Sequence, residues 1–264
     1  MSTTNPFSLE GKVALITGGG RGIGEGIARA MAGAGAAVAL VSRTKENVER
    51  VAGDLVAAGG RALALPSDIT DVGALPSVVE QTARDLGGID IVVNCAGGGD
   101  MWRAILENTV EELEEAFHFN VAAPFELVRV AVPHLLERPG SSVINIVSGA
   151  IRQPSRGHLS YDAAKGALYY ATRSMAAGLG PRIRVNGINP GIIETEAMKA
   201  VVSSHQGVLD QLLSHTRLRR LGAPSDIGNA AVFLASPAAS YVTGVCLDVD
   251  GGVVGEMNQM FPDL

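Results

Sequence analysis

Seven short apolar runs punctuate the chain: "KVALIT", "AAVALVS", "RALALPSD", "IDIVVNCAG", "SSVINIVS", "IRVNGINPG" and "VCLDVDGG". Runs of this length, rich in Val, Ile and Leu, read as strands. Few polar residues interrupt them, so both faces of each are expected to be covered, as in a parallel sheet between layers of helices. Between the runs the apolar spacing lengthens to a helical period. "IGEGIARAMAGAG", "TKENVERVAGDLVAAGG" and "VGALPSVVEQTARDLGG" each end in glycine, where a helix C-cap wants it. Repeated strand–helix alternation predicts an α/β fold: a Rossmann-type doubly wound parallel sheet of about seven strands with helices on both faces. No repeat, charge block or low-complexity linker divides residues 1–264, so one domain is expected.

The first strand runs into "TGGGRGIG", Thr17 to Gly24, with five glycines in eight residues. Such a cluster costs stability unless the backbone needs unusual dihedrals or close approach to a ligand. The spacing G-x-G-x-x-G fails in every register, whereas G-x-x-x-G-x-G fits Gly18, Gly22 and Gly24. In a doubly wound sheet a ligand binds outside the carboxyl ends of the strands, where the strand order reverses. Amides of Gly18, Gly20, Arg21 and Gly22, with the helix start near Ile23, are thus placed to face a pyrophosphate, and Gly24 lets helix and strand pack closely. Taken alone, the stretch is also compatible with a plain glycine-rich turn.

Further along stand "NCAG" (Asn94–Gly97), Asn120, Ser148 at a strand end, and "YDAAK" with Tyr161 and Lys165. Tyr161 and Lys165 are four apart and share a helix face. A cation beside a phenol favours the phenolate, which predicts a Tyr161 pKa drawn down from about 10 and a usable proton-transfer group. Ser148 is placed to hydrogen-bond a substrate oxygen as charge grows on it. A lone Tyr–Lys pair or strand-end Ser is commonplace; the order and separation of all four elements are not.

T-G-x-x-x-G-x-G followed by Ser, and thirteen residues later Tyr-x-x-x-Lys, resembles the short-chain dehydrogenase/reductase family over essentially the whole chain, to the closing "VDGG". The resemblance implies a nicotinamide dinucleotide and hydride transfer between it and a carbonyl or alcohol carbon. It implies that Asn120 holds a water linking Lys165 to solvent and that Tyr161 and Lys165 also touch the cofactor. Asn94, Ala96 and Gly97 would border the cofactor, Asp68 and Ile69 would meet the adenine, and "NPGIIET" would hold the nicotinamide through Pro190, Gly191, Ile193 and Thr195. Residues 196–220 would form a mobile lid. Met101, Trp102, Ile151, Gln153, His158 and Ile192 would border the substrate, giving a mostly apolar wall suited to a ketone or secondary alcohol.

Cofactor choice turns on the end of the second strand, where an acidic side chain would bind the ribose 2′-hydroxyl and an Arg would welcome a 2′-phosphate. Here Ser42 takes the acidic place, Arg43 follows, and Arg21 adds a second cation. NADP(H) is therefore expected over NAD(H). Two other functions stay open: a 3-oxoacyl thioester reductase, weakened by Ala177 where such enzymes commonly carry an Arg for the acidic carrier, and a dinucleotide-binding regulator without turnover.

A net charge of −6 argues against non-specific nucleic-acid binding, which needs a basic face. The start "MSTTNPFSLEGK" has no basic-then-apolar signal, and the longest uncharged run, Ile227–Leu247, is broken by Asn229, Pro237, Ser240 and Gly244. A cytoplasmic protein off the membrane is expected. Cys95 and Cys246 suggest neither a disulfide framework nor a zinc cluster, and Cys95 stands where the resembled family commonly has a second Asn. His118, His134, His158, His205 and His215 show no metal-ligand spacing. "EELEE", Glu111–Glu115, reads as a solvated helix face. The segments "VEELEEAFHFNVAAPFELVRVAVPHLLE" and "SYDAAKGALYYATRSMAAGL" read as long helices with more than one apolar side, which with the resemblance predicts a homotetramer.

Overall fold

All seven apolar runs become strands of one parallel sheet. The computed structural model describes residues 5–99, 103–204 and 207–253. In chain order the elements are β1 (Val13–Thr17), α1 (Gly22–Gly33), β2 (Ala37–Ser42), α2 (Lys45–Ala57), β3 (Ala62–Pro66), α3 (Leu75–Leu86) and β4 (Ile91–Asn94). There follow α4 (Val110–Phe117), α5 (Ala123–Leu136), β5 (Ser142–Ile146), α6 (Leu159–Leu179), β6 (Arg184–Pro190), α7 (Glu196–Ser204), α8 (Val208–Ser214), α9 (Pro224–Ala235) and β7 (Cys246–Val249). The strand order is β3-β2-β1-β4-β5-β6-β7. After β3 the chain returns to the other side of β1, so the order reverses between β1 and β4.

Side chains alternate across each strand, and here both faces are buried. Val13 and Leu15 of β1 join a core with Val79 of α3 and Leu127 and Leu135 of α5. Ala14 and Ile16 join the opposite core with Ile27 and Met31 of α1, Val51 of α2 and Leu234 of α9. This two-sided burial is why the strands read as nearly unbroken apolar runs. The predicted helix ends also hold: Gly35, Gly59 and Gly87, just past α1, α2 and α3, all take positive φ.

The segment read as one long helix, from Val110 to Glu137, is interrupted. A π-helical turn over His118–Ala122 separates α4 from α5. Its cause is local: the Asn120 side chain donates to the carbonyl of Ala116 at 2.9 Å, one helical turn back, alongside the backbone donors. Among the described residues of 196–220 there is no strand, as expected. They form α7 and α8, and Val208 and Leu212 of α8 bury against Ile192. Among the described residues no helix is long and apolar enough to cross a membrane.

Candidate active site

The crevice at the β1–β4 reversal is built by Thr17. Its hydroxyl accepts from the backbone N–H of Cys95 and of Ala96, both at 3.0 Å, and so ties the carboxyl ends of the two strands together. Beyond it the glycine loop turns back sharply. Gly18 and Gly22 have φ of 69° and 55°, which favour glycine. A Cβ at Gly24 would lie 2.1 Å from the Gly18 carbonyl oxygen, so only glycine lets α1 start this close to the loop.

The loop opens on a cavity of ≈470 Å³ that runs from Ser42, Arg43, Asp68 and Ile69 at one end to Gly97, Gly98 and Thr195 at the other. Gly18, Gly20, Arg21, Gly22, Ile23, Gly24 and Ala96 line it between. Elongated, glycine-walled and opened by a helix N-terminus, it suits a molecule with a central diphosphate. Several lining residues were not read from the sequence: Val41, Thr44, Asn47, Ser67, Cys95, Phe119, Glu196 and Ala197. Asn47 and Phe119 carry no motif of their own; only the fold brings them to the cleft. Asn94 is fully buried behind the wall, donating to Asn145 Oδ1 at 2.8 Å and to the Pro124 carbonyl at 3.3 Å. Ile193 lines a separate cavity with Ile192, Arg217 and Asp248, and Pro190 ends β6.

At the Ser42 end, Arg43 Nη1 lies 3.9 Å from Asp68 Oδ2 across the rim, with 72% of its side chain exposed. Burial raises the Asp68 pKa, but bonds from the Thr70 N–H and hydroxyl, with the Arg43 charge, outweigh it and hold the carboxyl below its usual range. Ser42 Oγ accepts from the Thr44 N–H at 3.2 Å.

Three of the four predicted catalytic side chains meet at the ends of β5 and α6. Ser148 lies beside the Tyr161 hydroxyl and favours its ionised form, and Ser148 Oγ accepts from the Ala150 N–H at 3.1 Å. Lys165, buried, donates to the Ile146 carbonyl at 2.9 Å and sits 5.7 Å from the centroid of the Tyr161 ring. Burial lowers its pKa to about 8. Asn120 reaches the same place from the π-turn. A Cβ at Gly97 would stand 2.8 Å from Lys165 Nζ and 2.9 Å from Asn120 Oδ1, so both atoms converge over that glycine.

One expectation is corrected. The Tyr161 pKa is raised rather than lowered, because burial of the phenol disfavours its charged form and outweighs the opposing effect of Ser148. The sequence shows the Lys165 charge but not the burial. At neutral pH the Tyr161 hydroxyl therefore carries its proton. Cys95 is no nucleophile here: burial pushes its thiol up to about 12.

The predicted substrate residues do not gather in one cavity. Ile151 lines a mainly apolar hollow with Ile105, Pro154 and Leu159, whereas Ile192 packs with Val208 and Leu212. Gln153 has a buried Oε1 without a hydrogen-bond partner, and burial lowers the pKa of His158 at the start of α6. Met101 and Trp102 lie outside the described residues. Among the described residues no cluster of His, Cys, Asp or Glu is arranged to hold a metal ion.

A family model described as enoyl-(acyl carrier protein) reductase matches residues 18–254. An uncharacterized oxidoreductase of Mycobacterium tuberculosis is 44% identical over 260 residues, 98% of each chain. The 7alpha-hydroxysteroid dehydrogenase of Escherichia coli is 38% identical over 98% of this chain and 100% of its own. Among solved structures, a 7alpha-hydroxysteroid dehydrogenase complexed with NADH and 7-oxo glycochenodeoxycholic acid superposes with a TM-score of 0.92 at 38% identity, covering 98% of this chain and 100% of that one. A blue fluorescent protein from a metagenomic library, in complex with NADPH, gives 0.84 at 36%, covering 93% and 98%. With the glycine cleft, the reversed strand order and the Ser148–Tyr161–Lys165 cluster, these likenesses make the chain an oxidoreductase of the short-chain dehydrogenase/reductase family.

Proposed function

We propose that the chain interconverts a ketone and a secondary alcohol with a nicotinamide dinucleotide, using Tyr161 as general acid and base. The observation that carries this is buried Lys165, 5.7 Å from the Tyr161 ring centroid and over Gly97 at the end of the glycine-walled cleft, with Ser148 beside the Tyr161 hydroxyl. The dinucleotide, when bound, supplies or takes the hydride at the carbonyl carbon. For reduction, Ser148 holds the substrate oxygen, Tyr161 gives it a proton, and Lys165, with Asn120 beside it, is the cation that favours resupply of that proton.

The family model's description names an enoyl reductase. The four-residue Tyr161–Lys165 spacing supports the carbonyl reaction instead, since divergent enoyl reductases space the pair more widely. A relative named for a hydroxysteroid substrate, together with the apolar hollow at Ile105, Ile151 and Leu159, supports an apolar cyclic ketone or alcohol. NADP(H) is favoured over NAD(H), because Ser42 offers no carboxylate and Arg43 stands at the ribose end. A cytoplasmic homotetramer, with residues 196–220 as a lid, completes the reading; Phe125 and Tyr170, 50% and 68% exposed on α5 and α6, are apolar surface that a second copy would cover.

Absorbance at the reduced-nicotinamide band, followed over a panel of steroid, cyclic and acyl-thioester ketones with each dinucleotide, tests this. Turnover of a cyclic ketone is the expected result. Dinucleotide binding without turnover of any carbonyl would favour a regulator.

A further inference from the structure

Gly20, in the middle of the glycine loop, is gripped from outside the loop. A Cβ there would lie 2.9 Å from the Asn47 Cβ, and its carbonyl accepts a hydrogen bond from Arg50 Nη2 at 3.2 Å. Asn47 and Arg50 are three residues apart on α2 and share one face. The same guanidinium spans to Glu25 in the first turn of α1, with Nη2 2.7 Å from Oε2 and Nη1 3.2 Å from Oε1. Glu25 also accepts from Arg29 Nε and Nη2, at 2.9 and 2.7 Å, and Arg29 bonds Asp54 at 2.7 Å.

Two carboxylates and two guanidiniums thus form a neutral network behind the loop. The arrangement has an electrostatic consequence. A carboxylate in the first turn suits the helix dipole, yet it sets a negative charge beside the end of α1 where an anion would bind. Arg50 first, then Arg29, holds the Glu25 carboxyl below its usual range against partial burial, so it is ionised and the two cations offset it. Exposed ion pairs alone contribute little to stability. What distinguishes Arg50 is its bond to a loop carbonyl, which couples α2, the helix that follows the Ser42–Thr44 wall, to the bend of the loop.

We propose that Arg50 is a positioning residue of the dinucleotide site. It does not line the cleft; it fixes the Gly20 carbonyl, so affinity for either dinucleotide depends on it. This rests on the reading of the cleft as a dinucleotide site.

The test compares dissociation constants of NADH and NADPH, read from their own fluorescence, and kcat and KM, for the unmodified protein, Arg50→Ala, Arg50→Lys and Arg29→Ala. Arg50→Ala should weaken NADH and NADPH by the same factor, about three- to tenfold, with the loss in Kd and KM rather than kcat. Arg50→Lys keeps the cation toward Glu25 but lacks the second arm, and should weaken both as well. Arg29→Ala loses its bonds to Glu25 and Asp54 but no bond to the loop, and should keep the parent affinity. If Arg50→Ala does not fold, Arg50→Lys decides. Parent-like affinity in the Arg50 variants, or an equal loss in Arg29→Ala, overturns the proposal. An unmodified protein that binds neither dinucleotide removes the reading of the cleft itself.

Discussion

Asn120 and Gly98 exchange two hydrogen bonds: the Asn120 amide nitrogen donates to the Gly98 carbonyl at 2.7 Å, and its oxygen accepts from the Gly98 N–H at 3.1 Å. With the further bond to Ala116, the side chain pins the loop after β4 to the π-turn. Asn120→Ala should leave these partly or fully buried groups unpaired, at about 1–3 kcal/mol, and lower the melting temperature by about 2–4 °C for each kcal/mol. Turnover should fall with it, because the loop carrying Gly97 meets Lys165. A melting curve and steady-state rates check both; unchanged rates would remove Asn120 from the site.

Tyr161→Phe removes one oxygen and keeps the ring beside Lys165. That ring's centroid lies 5.7 Å from the Lys165 ammonium, with Ser148 beside the Tyr161 hydroxyl. Turnover should fall at least about a hundredfold, while dinucleotide affinity stays near that of the parent. Retained turnover reassigns the proton donor.

The strands, the glycine loop and Ser148, Tyr161 and Lys165 are legible in the sequence because each is a local pattern: an apolar run, a spacing, a pair on one helix turn. Thr17, Asn47, Arg50 and Phe119 are not, because their roles arise from contacts between elements far apart in sequence. The π-turn is hidden too, since Val110–Glu137 reads as an unbroken helical period. Charge is visible in a sequence and burial is not, which is why the expected and observed directions of the Tyr161 pKa differ. Asn94 was placed on the cleft by its neighbours in "NCAG", but in a strand that ends at this residue its side chain turns inward to Asn145.

Lys165 gives opposite pH trends for activity and stability. Below about 8 it is protonated and able to resupply Tyr161; above that, carbonyl reduction should decline. In the unfolded chain the same lysine titrates near 10.5, so between about 8 and 10.5 the unfolded state binds more protons and this group's contribution makes stability rise with pH. Rates and melting temperatures across pH 7–10 in a Lys165→Met background should lose both limbs.

Arg43→Ala should weaken NADPH and leave NADH nearly untouched. A charge-assisted contact to a 2′-phosphate would contribute about 1.5 kcal/mol at so exposed a site, or roughly tenfold in affinity. Asp68, 3.9 Å from Arg43, competes for the guanidinium and keeps the figure low. Ser42→Asp should reverse the preference by repelling the phosphate. Titration of both dinucleotides against each variant decides, and equal affinities in the unmodified protein would end the NADP(H) reading.

Asp162, next to Tyr161, is a site where loss of charge should stabilise the protein. Its Oδ2 accepts from the Ser155 N–H at 2.9 Å, whereas its Oδ1 is buried without a partner. Burial raises the carboxyl to about 6, so ionisation in the folded state is unfavourable relative to the unfolded chain, where the value is 3.8. Above about 6 the carboxylate is charged in both states and its cost is fully felt; as pH falls through 6 toward 3.8 the folded state takes up the proton first and the cost disappears. Asn keeps an oxygen for Ser155 and carries no charge. Discounted for partial exposure, Asp162→Asn should therefore add on the order of 1 kcal/mol, about 2–4 °C, at neutral pH, and close to nothing near pH 4. Thermal melts at the two pH values measure this. A lower melting temperature at neutral pH would mean that the carboxylate has a stabilising partner in the assembled protein.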